Sequence, residues 1–463
     1  MQKERRRIPE KLVSCLWADQ RFIKMNLCTT DACGLEVYSP GIWNLEAGPD
    51  FHHALIKIEG KGFQEGDVEI HPLASQWEAH HHHRDPQYNR VILHVVMWND
   101  RPRRNLQKEN GDLLPQLELV SYLDRELASL EKEVDMTPSP WRGQEGFRAY
   151  LKNLVQKGFS EIKTSLEQAG DERLLRKSEG MKLNLKDGDY DQLIYTGMMD
   201  ALGFKGNRFL FRELASSVSL HDLQAASSND DEEKRGKIYQ AILLNMANLL
   251  PKMEEKPLDH ETLLYLQEIN GYWQIVGPSF SERMMPKEMW RHAGVRPANF
   301  PGRRIAAISH LLAKYLQKGL LQTFIQGLKN RSSLLLDLLS EVSDSYWSFR
   351  YTLGGKKQAK GIRLIGRERA SGILVNVVFP ALLLYAREEH DRSLESALRS
   401  LYERYPAFES NATVRLVTQL LFGETRKRTP FPLTARLEQG LLQLFQNSWR
   451  DYTHEIAQAA LRF

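Results

Sequence analysis

Apolar and polar residues alternate in two short stretches near the N-terminus, at 54–58 (ALIKI) and 67–71 (DVEIH). Because alternate residues of a strand share a face, the apolar members of the second stretch point to one side of a sheet. Its polar members point to the other side: Asp67, Glu69 and His71. Glycines at 60 and 62 predict a turn between the two stretches. The pattern therefore predicts a hairpin whose second strand has one apolar face and one polar face.

Further strands are expected after this hairpin, and helices dominate the rest of the chain. The apolar run at 91–98 (VILHVVMW) is typical of a strand buried on both faces, and 114–119 is a further candidate strand. Prolines within 137–140 predict a break, and beyond it apolar residues recur at helical spacing. We therefore expect an α/β N-terminal domain with a mixed sheet at residues 1–138, followed by a mainly α-helical C-terminal region at 139–463, in one or two lobes.

The overall composition is that of an ordinary globular protein. The chain has 463 residues, a formal net charge of +4 and three cysteines. This charge gives only a weak preference for a polyanionic partner, and no apolar run reaches the length of about 18 residues that a membrane span needs. The low cysteine count favours a reducing compartment, so we expect a cytoplasmic protein without a membrane partner. Beyond residue 140 there is no phosphate-binding loop, nucleophile elbow or HExxH zinc motif.

The histidines are concentrated around the polar strand face. Eight of the fourteen lie between residues 52 and 94: His52, His53, His71, His80, His81, His82, His83 and His94. Together with the nearby acids they offer carboxylate oxygens and imidazole nitrogens to one site. Carboxylates favour Mg²⁺ or Mn²⁺, and imidazoles favour Zn²⁺ or other transition metals. The sequence therefore predicts a divalent metal cofactor, Mg²⁺ or Mn²⁺ with Zn²⁺ as the alternative.

Structural explanations for these residues stay open beside the chemical one. His94 lies within a core strand and is equally explained as a buried, hydrogen-bonded histidine. The four histidines at 80–83 also suit an exposed loop, since adjacent side chains cannot all face one ion. If that segment is helical, His80 and His83 share a face. The acids of the strand have arginines nearby in sequence as structural partners: Arg84, Arg90 and Arg101.

A set of short motifs resembles the DUF2851 family of bacterial proteins. The motifs are Gly41-x-x-Asn44, GPDF at 48–51, GDVEIH at 66–71, Trp77-x-x-His80, VILHVV at 91–96, VRPANFP at 295–301 with Arg303 and Arg304, and Gly366 with the run at 373–380. They extend over most of the chain. The family name carries no assigned activity, so this resemblance implies kinship and leaves the function to the residues themselves.

The N-terminal part is also similar, more distantly, to the PD-(D/E)xK nuclease superfamily. That superfamily has an Asp at the start of one strand and an acid plus a lysine on the next. Here Asp50 precedes the first strand of the hairpin, and Glu69 and His71 lie on the second. The resemblance implies a restriction-endonuclease-like mixed sheet, with Asp50 and Glu69 holding divalent cations that polarise a phosphate. His71 stands in the place of the lysine and would act as a base or a metal ligand.

These features favour a metal-dependent nuclease, or a nuclease-derived protein that binds nucleic acid. The expected metal ligands are Asp50, Asp67, Glu69 and His71. The expected catalytic residues, of which the last two would aid proton transfer to the leaving oxygen, are Asp50, Glu69, His71, His80 and His83. Candidate phosphate contacts in the helical region are Arg296, Arg303 and Arg304. Two alternatives stay open: a non-catalytic scaffold with a degenerate nuclease fold, and a metal-dependent hydrolase of a small phosphorylated substrate.

Overall fold

The computed structural model describes the chain as two compact units. The described residues are 8–44, 48–102, 105–136, 142, 158–227, 230–251, 258–280, 284–286, 290, 292, 295–330, 334–408, 412–422 and 430–460. Unit 1 comprises Met1–Ile162, Arg415–Arg428 and Leu444–Phe463. Unit 2 comprises Lys163–Val414 and Thr429–Gln443. The expected boundary near residue 138 falls at 137–141, outside the described residues, and stays a prediction.

Unit 1 contains a sheet with short helices around it. Its elements are α1 (Glu10–Ala18), β1 (Leu35–Ser39), β2 (Ile42–Trp43), β3 (Phe51–Ile58), β4 (Gly62–Leu73), α2 (Gln76–Ala79), β5 (Val91–Trp98), β6 (Leu106–Gln107), β7 (Leu113–Leu114), β8 (Gln116–Glu118) and α3 (Leu127–Glu133). The main sheet has the order β1-β3-β4-β5-β8, and β2 pairs with β3. β3 is antiparallel to β1 and β4, while β5 is parallel to β4 and β8. The predicted mixed sheet is confirmed.

The two faces of β4 have different surroundings, as its alternating sequence predicts. Val68 and Ile70 belong to a buried apolar cluster that also includes Leu12 and Leu16 of α1. The opposite face carries Glu69 and its polar neighbours. A second, smaller apolar cluster is formed by Trp77, Tyr88, Val91, Leu106 and Leu114. Burial of the first cluster fixes the register of β4, because a slip by one residue would turn its polar side chains into that core.

The connection between β4 and β5 carries the histidine-rich segment. Parallel neighbours need a crossover, and this one contains α2 and two short 3₁₀ turns, His82–Arg84 and Pro86–Tyr88. α2 ends at Ala79 with His80 as its C-cap residue, and His81 follows with a φ of 61°, in the left-handed region. That backbone conformation interrupts the helical path within the run of histidines.

The chain after residue 158 is mainly helical, which confirms the second part of the predicted fold class. Its described helices are α4 (Phe159–Lys182), α5 (Tyr190–Leu202), α6 (Phe204–Ser217), α7 (Leu220–Ala226), α8 (Glu232–Met246), α9 (His260–Val276), α10 (Pro301–Tyr315), α11 (Leu320–Asn330), α12 (Leu334–Ser340), α13 (Arg367–Ile373), α14 (Phe379–Glu388), α15 (Arg392–Arg404), α16 (Ala412–Phe422) and α17 (Ala435–Ala460). A π-helical turn, Leu374–Val378, joins α13 to α14.

The continuous stretch Arg367–Glu388 is the one helix in the described part of the chain that is long and apolar enough to cross a membrane, with a mean hydropathy of 1.6. Within the fold, 78% of the residues in its most apolar 18-residue window are buried. Its residues Ile373, Leu374 and Phe379 belong to the large apolar core of unit 2. The stretch is therefore accounted for as the core helix of that unit.

Close approach of β4 and β5 gives a first test of the fold. A Cβ atom added at Gly66 would meet Ile92 Cγ2 at 2.5 Å and the Arg90 carbonyl oxygen at 2.6 Å. Gly66→Ala should therefore lower the free energy of unfolding by about 1–3 kcal/mol. At Gly271, on α9, an added Cβ meets nothing within 4 Å, so Gly271→Ala should raise it by about 0.5–1 kcal/mol. Denaturant unfolding measures both changes, and an unaltered Gly66→Ala variant would contradict the strand packing.

Candidate metal centre

The two acids expected to hold a metal lie side by side on neighbouring strands. Asp50 immediately precedes β3, and its backbone N–H donates to Glu69 Oε2 at 3.1 Å. In return, the backbone N–H of Ile70 donates to Asp50 Oδ2 at 2.9 Å. These reciprocal bonds tie each carboxylate to the strand that carries the other. The pairing predicted from sequence, an acid before one strand beside an acid on the next, is present in the fold.

Burial makes this pair of carboxylates costly to ionise. Loss of solvent raises the pKa of Asp50 to about 7, against an ordinary value of 3.8, and the charge of Glu10 adds to the increase. Burial also raises the pKa of Glu69 well above its usual range, and the charge of Asp50 raises it further. Among the residues that the structure describes, no Arg or Lys contacts either carboxylate. Within the described ranges the pair therefore has no basic partner of the kind that usually neutralises buried acids.

Two imidazoles, His71 and His82, lie beside Glu69 Oε1, and a third, His80, lies beside His71. Glu69 Oε1 lies 3.1 Å from His82 Nε2 and 3.6 Å from His71 Nε2. His71 Nε2 in turn lies 3.1 Å from His80 Nδ1. One ligand atom from each of His71, His80 and His82 lies within 4.8 Å of the other two. His71 and His82 are buried and His80 is exposed, so the cluster opens to solvent at His80.

A hydrogen-bonded chain behind His71 fixes its tautomer. His94 Nδ1 lies 3.1 Å from Gln116 Oε1, and because an amide oxygen only accepts, His94 Nδ1 carries the hydrogen. His94 Nε2 is then the acceptor for His71 Nδ1, at 2.8 Å. Burial lowers the pKa of His94 to about 3, and burial together with the neighbouring imidazoles lowers the pKa of His71 well below its usual value. Both rings are therefore neutral, and the lone pair of His71 Nε2 points into the cluster.

His71 Nε2 and Glu69 Oε1 face each other, and their electrostatic repulsion favours a positive charge near both atoms. A lone pair and a carboxylate oxygen 3.6 Å apart repel each other in a buried site unless a positive charge is present with them. A proton on Glu69 would remove this repulsion in one way, and a metal cation would remove it in another. The donor chemistry of the cluster fits a divalent cation, since imidazole nitrogens and carboxylate oxygens are its common protein ligands.

The turn in the histidine segment decides which histidines meet. The sequence-based expectation paired His80 with His83 on one helical face. In the structure the left-handed residue His81 separates α2 from the 3₁₀ turn, and this rotation brings His82 to Glu69 instead. The His83 ring has the His81 ring as its neighbour, with centroids 6.2 Å apart. His83 is thus placed outside the cluster.

Asp67 lies on the predicted face of β4 but has another partner. Its Oδ1 atom is 3.1 Å from His52 Nδ1, so the structure does not bring it to the ligand atoms of the cluster. The arginines considered as structural partners are also placed elsewhere. Arg101 pairs with Glu78 at 2.8 Å, and Arg90 contributes its carbonyl oxygen, which accepts from the Asp67 backbone N–H.

The arginines of the helical region lie in unit 2, and two of them are buried. Arg303 is 1% exposed and donates through Nη2 to the carbonyl oxygens of Ile362 and Arg363. Arg304 is 5% exposed and donates through Nη1 to the Leu364 carbonyl oxygen at 2.6 Å. We expected Arg303 and Arg304 to contact phosphates. This placement conflicts with that expectation, because both guanidinium groups are buried and donate to backbone carbonyl oxygens. Arg296 is exposed, next to the 3₁₀ turn Pro297–Asn299.

Three residues of the site were missed in the sequence. Glu10, the first residue of α1, is close enough for its charge to raise the pKa of both Asp50 and Glu69, and burial raises its own pKa. Nothing in the sequence distinguishes it from any acid in a first helical turn. To predict that His82 lies in the site, one would have to know the backbone turn at His81. Gln116 is placed by the parallel register that sets it opposite His94, which sequence alone does not give.

The fold and the site define an α/β protein with a buried carboxylate and imidazole cluster on one sheet face, joined to a helical unit. Over residues 10–412 the chain matches the family described as "Protein of unknown function (DUF2851)". The protein belongs to the DUF2851 family, as its motifs predict. Comparison with curated proteins gives no match, and comparison with solved structures gives none.

The raised pKa of Asp50 predicts how stability depends on pH. The folded protein holds the Asp50 proton up to about pH 7, while the unfolded chain releases it near 3.8. Between these values the folded state binds more protons, so the free energy of unfolding of metal-free protein should fall as pH rises. Asp50→Asn removes this titration and should lose less stability over the same interval. Urea unfolding in EDTA at several pH values measures the difference, and equal losses in both proteins would contradict the burial of Asp50.

Proposed function

We propose that the protein is a metal-dependent hydrolase of phosphodiester bonds in a nucleic acid, with its active site at the carboxylate and imidazole cluster of unit 1. The observation that carries this proposal is the pair formed by Asp50 and Glu69. Glu69 is buried and Asp50 is half-buried, each is bound to the other's strand, and neither contacts a described Arg or Lys. Such an arrangement is costly unless a cation joins it, and activation of phosphate esters by cations between carboxylates is a common use of that chemistry.

The placement of these residues supports the resemblance to the PD-(D/E)xK superfamily. Asp50 precedes β3, and Glu69 and His71 lie on the antiparallel neighbour β4, which is the order of acids that the resemblance implies. The choice of a nucleic acid as substrate rests on this resemblance. The alternative of an inactive scaffold assumed an arginine between the acids, and the described contacts of Asp50 and Glu69 offer no support for it.

In this proposal Glu69 and His71, with Asp50 bound beside Glu69, would hold a divalent cation, which would supply positive charge against the charge that develops on the phosphate in the transition state. His71 contributes a neutral nitrogen whose tautomer His94 fixes. Water attacks the phosphorus atom, the bond to the leaving oxygen breaks, and that oxygen takes up a proton. The groups at the open side of the cluster are suited to this proton transfer: Glu10, with its raised pKa, and the exposed His80.

Cleavage assays with purified protein test this function. End-labelled single-stranded DNA, duplex DNA and single-stranded RNA are incubated with Mg²⁺, Mn²⁺ or Zn²⁺, beside bis(p-nitrophenyl) phosphate as a small phosphodiester. We expect cleavage of at least one polynucleotide. Glu69→Gln should lower the rate by about 100-fold or more, because the several kcal/mol of charge stabilisation that a cation provides depends on that ligand.

Glu65→Gln is the matched control for this assay. Glu65 lies on the same strand, is exposed and contacts His53 at 3.3 Å, away from the cluster, so its loss should leave the rate unchanged. Cleavage that persists in Glu69→Gln would come from a contaminant and would count against the site. Hydrolysis of the small ester alone would assign the protein to small phosphorylated substrates. No hydrolysis under any condition would leave a binding protein.

A further inference from the structure

We infer that Glu69, His71, His80 and His82 together form a binding site selective for a first-row transition-metal ion of the zinc class, in preference to Mg²⁺. This inference deepens the proposed function by naming the metal of the same site. It rests on that function only for the use of the ion in catalysis, in which the phosphate would enter as a fifth ligand. Binding of the ion is a separate property. His80 and His82 add two imidazole nitrogens to the oxygen of Glu69 and the nitrogen of His71, which makes the site rich in nitrogen donors.

Three of the distances between donor atoms are close to the edges of a tetrahedral site. Zinc with bonds of about 2.0–2.1 Å holds its four ligand atoms about 3.3–3.4 Å apart along the edges of the tetrahedron. In the structure Glu69 Oε1 is 3.1 Å from His82 Nε2 and 3.6 Å from His71 Nε2. His71 Nε2 is 3.1 Å from His80 Nδ1. Three edges therefore lie within a few tenths of an ångström of that value.

The residues behind the cluster supply the outer shell that such sites need. A metal-binding imidazole usually donates its second N–H to a fixed acceptor, which sets the tautomer and the ring orientation. His71 does so through His94, and His94 through Gln116. This chain leaves the Nε2 lone pair of His71 free of a proton and directed at the other donors. A histidine that served packing alone would not require this order of donors and acceptors.

Aromatic side chains hold the imidazoles in place. The His82 ring lies against Tyr88, with ring centroids 3.9 Å apart, and against Trp77 at 5.4 Å. Trp77 also contacts the His94 ring at 5.4 Å, and its indole N–H donates to the Gln107 carbonyl oxygen. These contacts fix the ring positions before an ion binds.

The donor set itself selects the metal. Three imidazole nitrogens and one carboxylate oxygen suit Zn²⁺, Co²⁺ and related ions, while Mg²⁺ prefers six oxygens. With His80 committed to the ion, Glu10 is left at the open side of the cluster for proton transfer. Asp50 stays bound to the Ile70 backbone N–H beside Glu69.

The experiment is metal analysis of the full-length protein. Apoprotein prepared with a chelator is titrated with Zn²⁺ and, in parallel, with Co²⁺, whose visible absorption is strong in tetrahedral sites and weak in octahedral ones. We expect about one Zn²⁺ per chain, a tetrahedral Co²⁺ spectrum, and no displacement of either ion by millimolar Mg²⁺. Glu69→Gln and His80→Ala should abolish the Co²⁺ spectrum. His80 is exposed, so its replacement should leave the fold intact, which circular dichroism checks.

Two further variants separate metal ligands from neighbours. His81→Asn removes the adjacent, exposed imidazole at a position with a φ of 61°, a conformation that Asn tolerates, and it should bind Zn²⁺ as the unmodified protein does. Gln116→Leu breaks the outer shell without touching a ligand and should weaken Zn²⁺ binding by about 10–100-fold. His80→Ala should weaken it more than Gln116→Leu does.

The outcomes distinguish this inference from the proposed function. Absence of Zn²⁺ binding, an octahedral Co²⁺ spectrum, or equal binding by His80→Ala and His81→Asn would overturn the metal site. A protein that binds Zn²⁺ as described but cleaves no phosphodiester would keep the metal site and refute the hydrolase. A protein that cleaves with Mg²⁺ alone, at a rate that His80→Ala does not alter, would keep the hydrolase and refute the zinc-class site.

Discussion

A buried carboxylate that faces the lone pair of a neutral imidazole is the interaction on which the N-terminal unit depends. Glu69 is 5% exposed and His71 is 1% exposed, and their facing atoms are 3.6 Å apart. No described Arg or Lys reaches either group, and a proton or a bound cation between them would remove their repulsion. Further acids and imidazoles adjoin this pair on the same part of the sheet: Asp50, Glu10, His80 and His82.

The sheet topology produces this concentration. The antiparallel pairing of β3 with β4 brings Asp50, the residue before β3, beside Glu69 on β4. Parallel pairing adds β5 and then β8 on the other side of β4. The crossover between β4 and β5 returns over the polar face and carries the histidine segment with it. The apolar core on the other face of the sheet holds the strands in this register. Packing on one face thereby positions chemistry on the other.

Much of this arrangement was predictable from local sequence patterns, and the remainder depended on tertiary geometry. Alternation along 67–71 predicted the two faces of β4. The GPDF and GDVEIH motifs predicted that Asp50 lies beside Glu69, and they also indicated the family. His82 contacts Glu69, where His83 had been expected in the site, because His81 adopts a left-handed backbone conformation. The periodicity of the sequence does not reveal that conformation. The burial of Arg303 and Arg304 followed from carbonyl groups some sixty positions later in the chain, beyond the reach of local patterns.

Anomalous X-ray scattering from crystals of the zinc-loaded protein, measured on both sides of the zinc absorption edge, tests the central claim most directly. The account predicts an anomalous peak about 2.0–2.2 Å from Glu69 Oε1 and from the facing nitrogen of His71. A site with no anomalous peak, in which Glu69 and His71 share a proton across a direct contact, would contradict it.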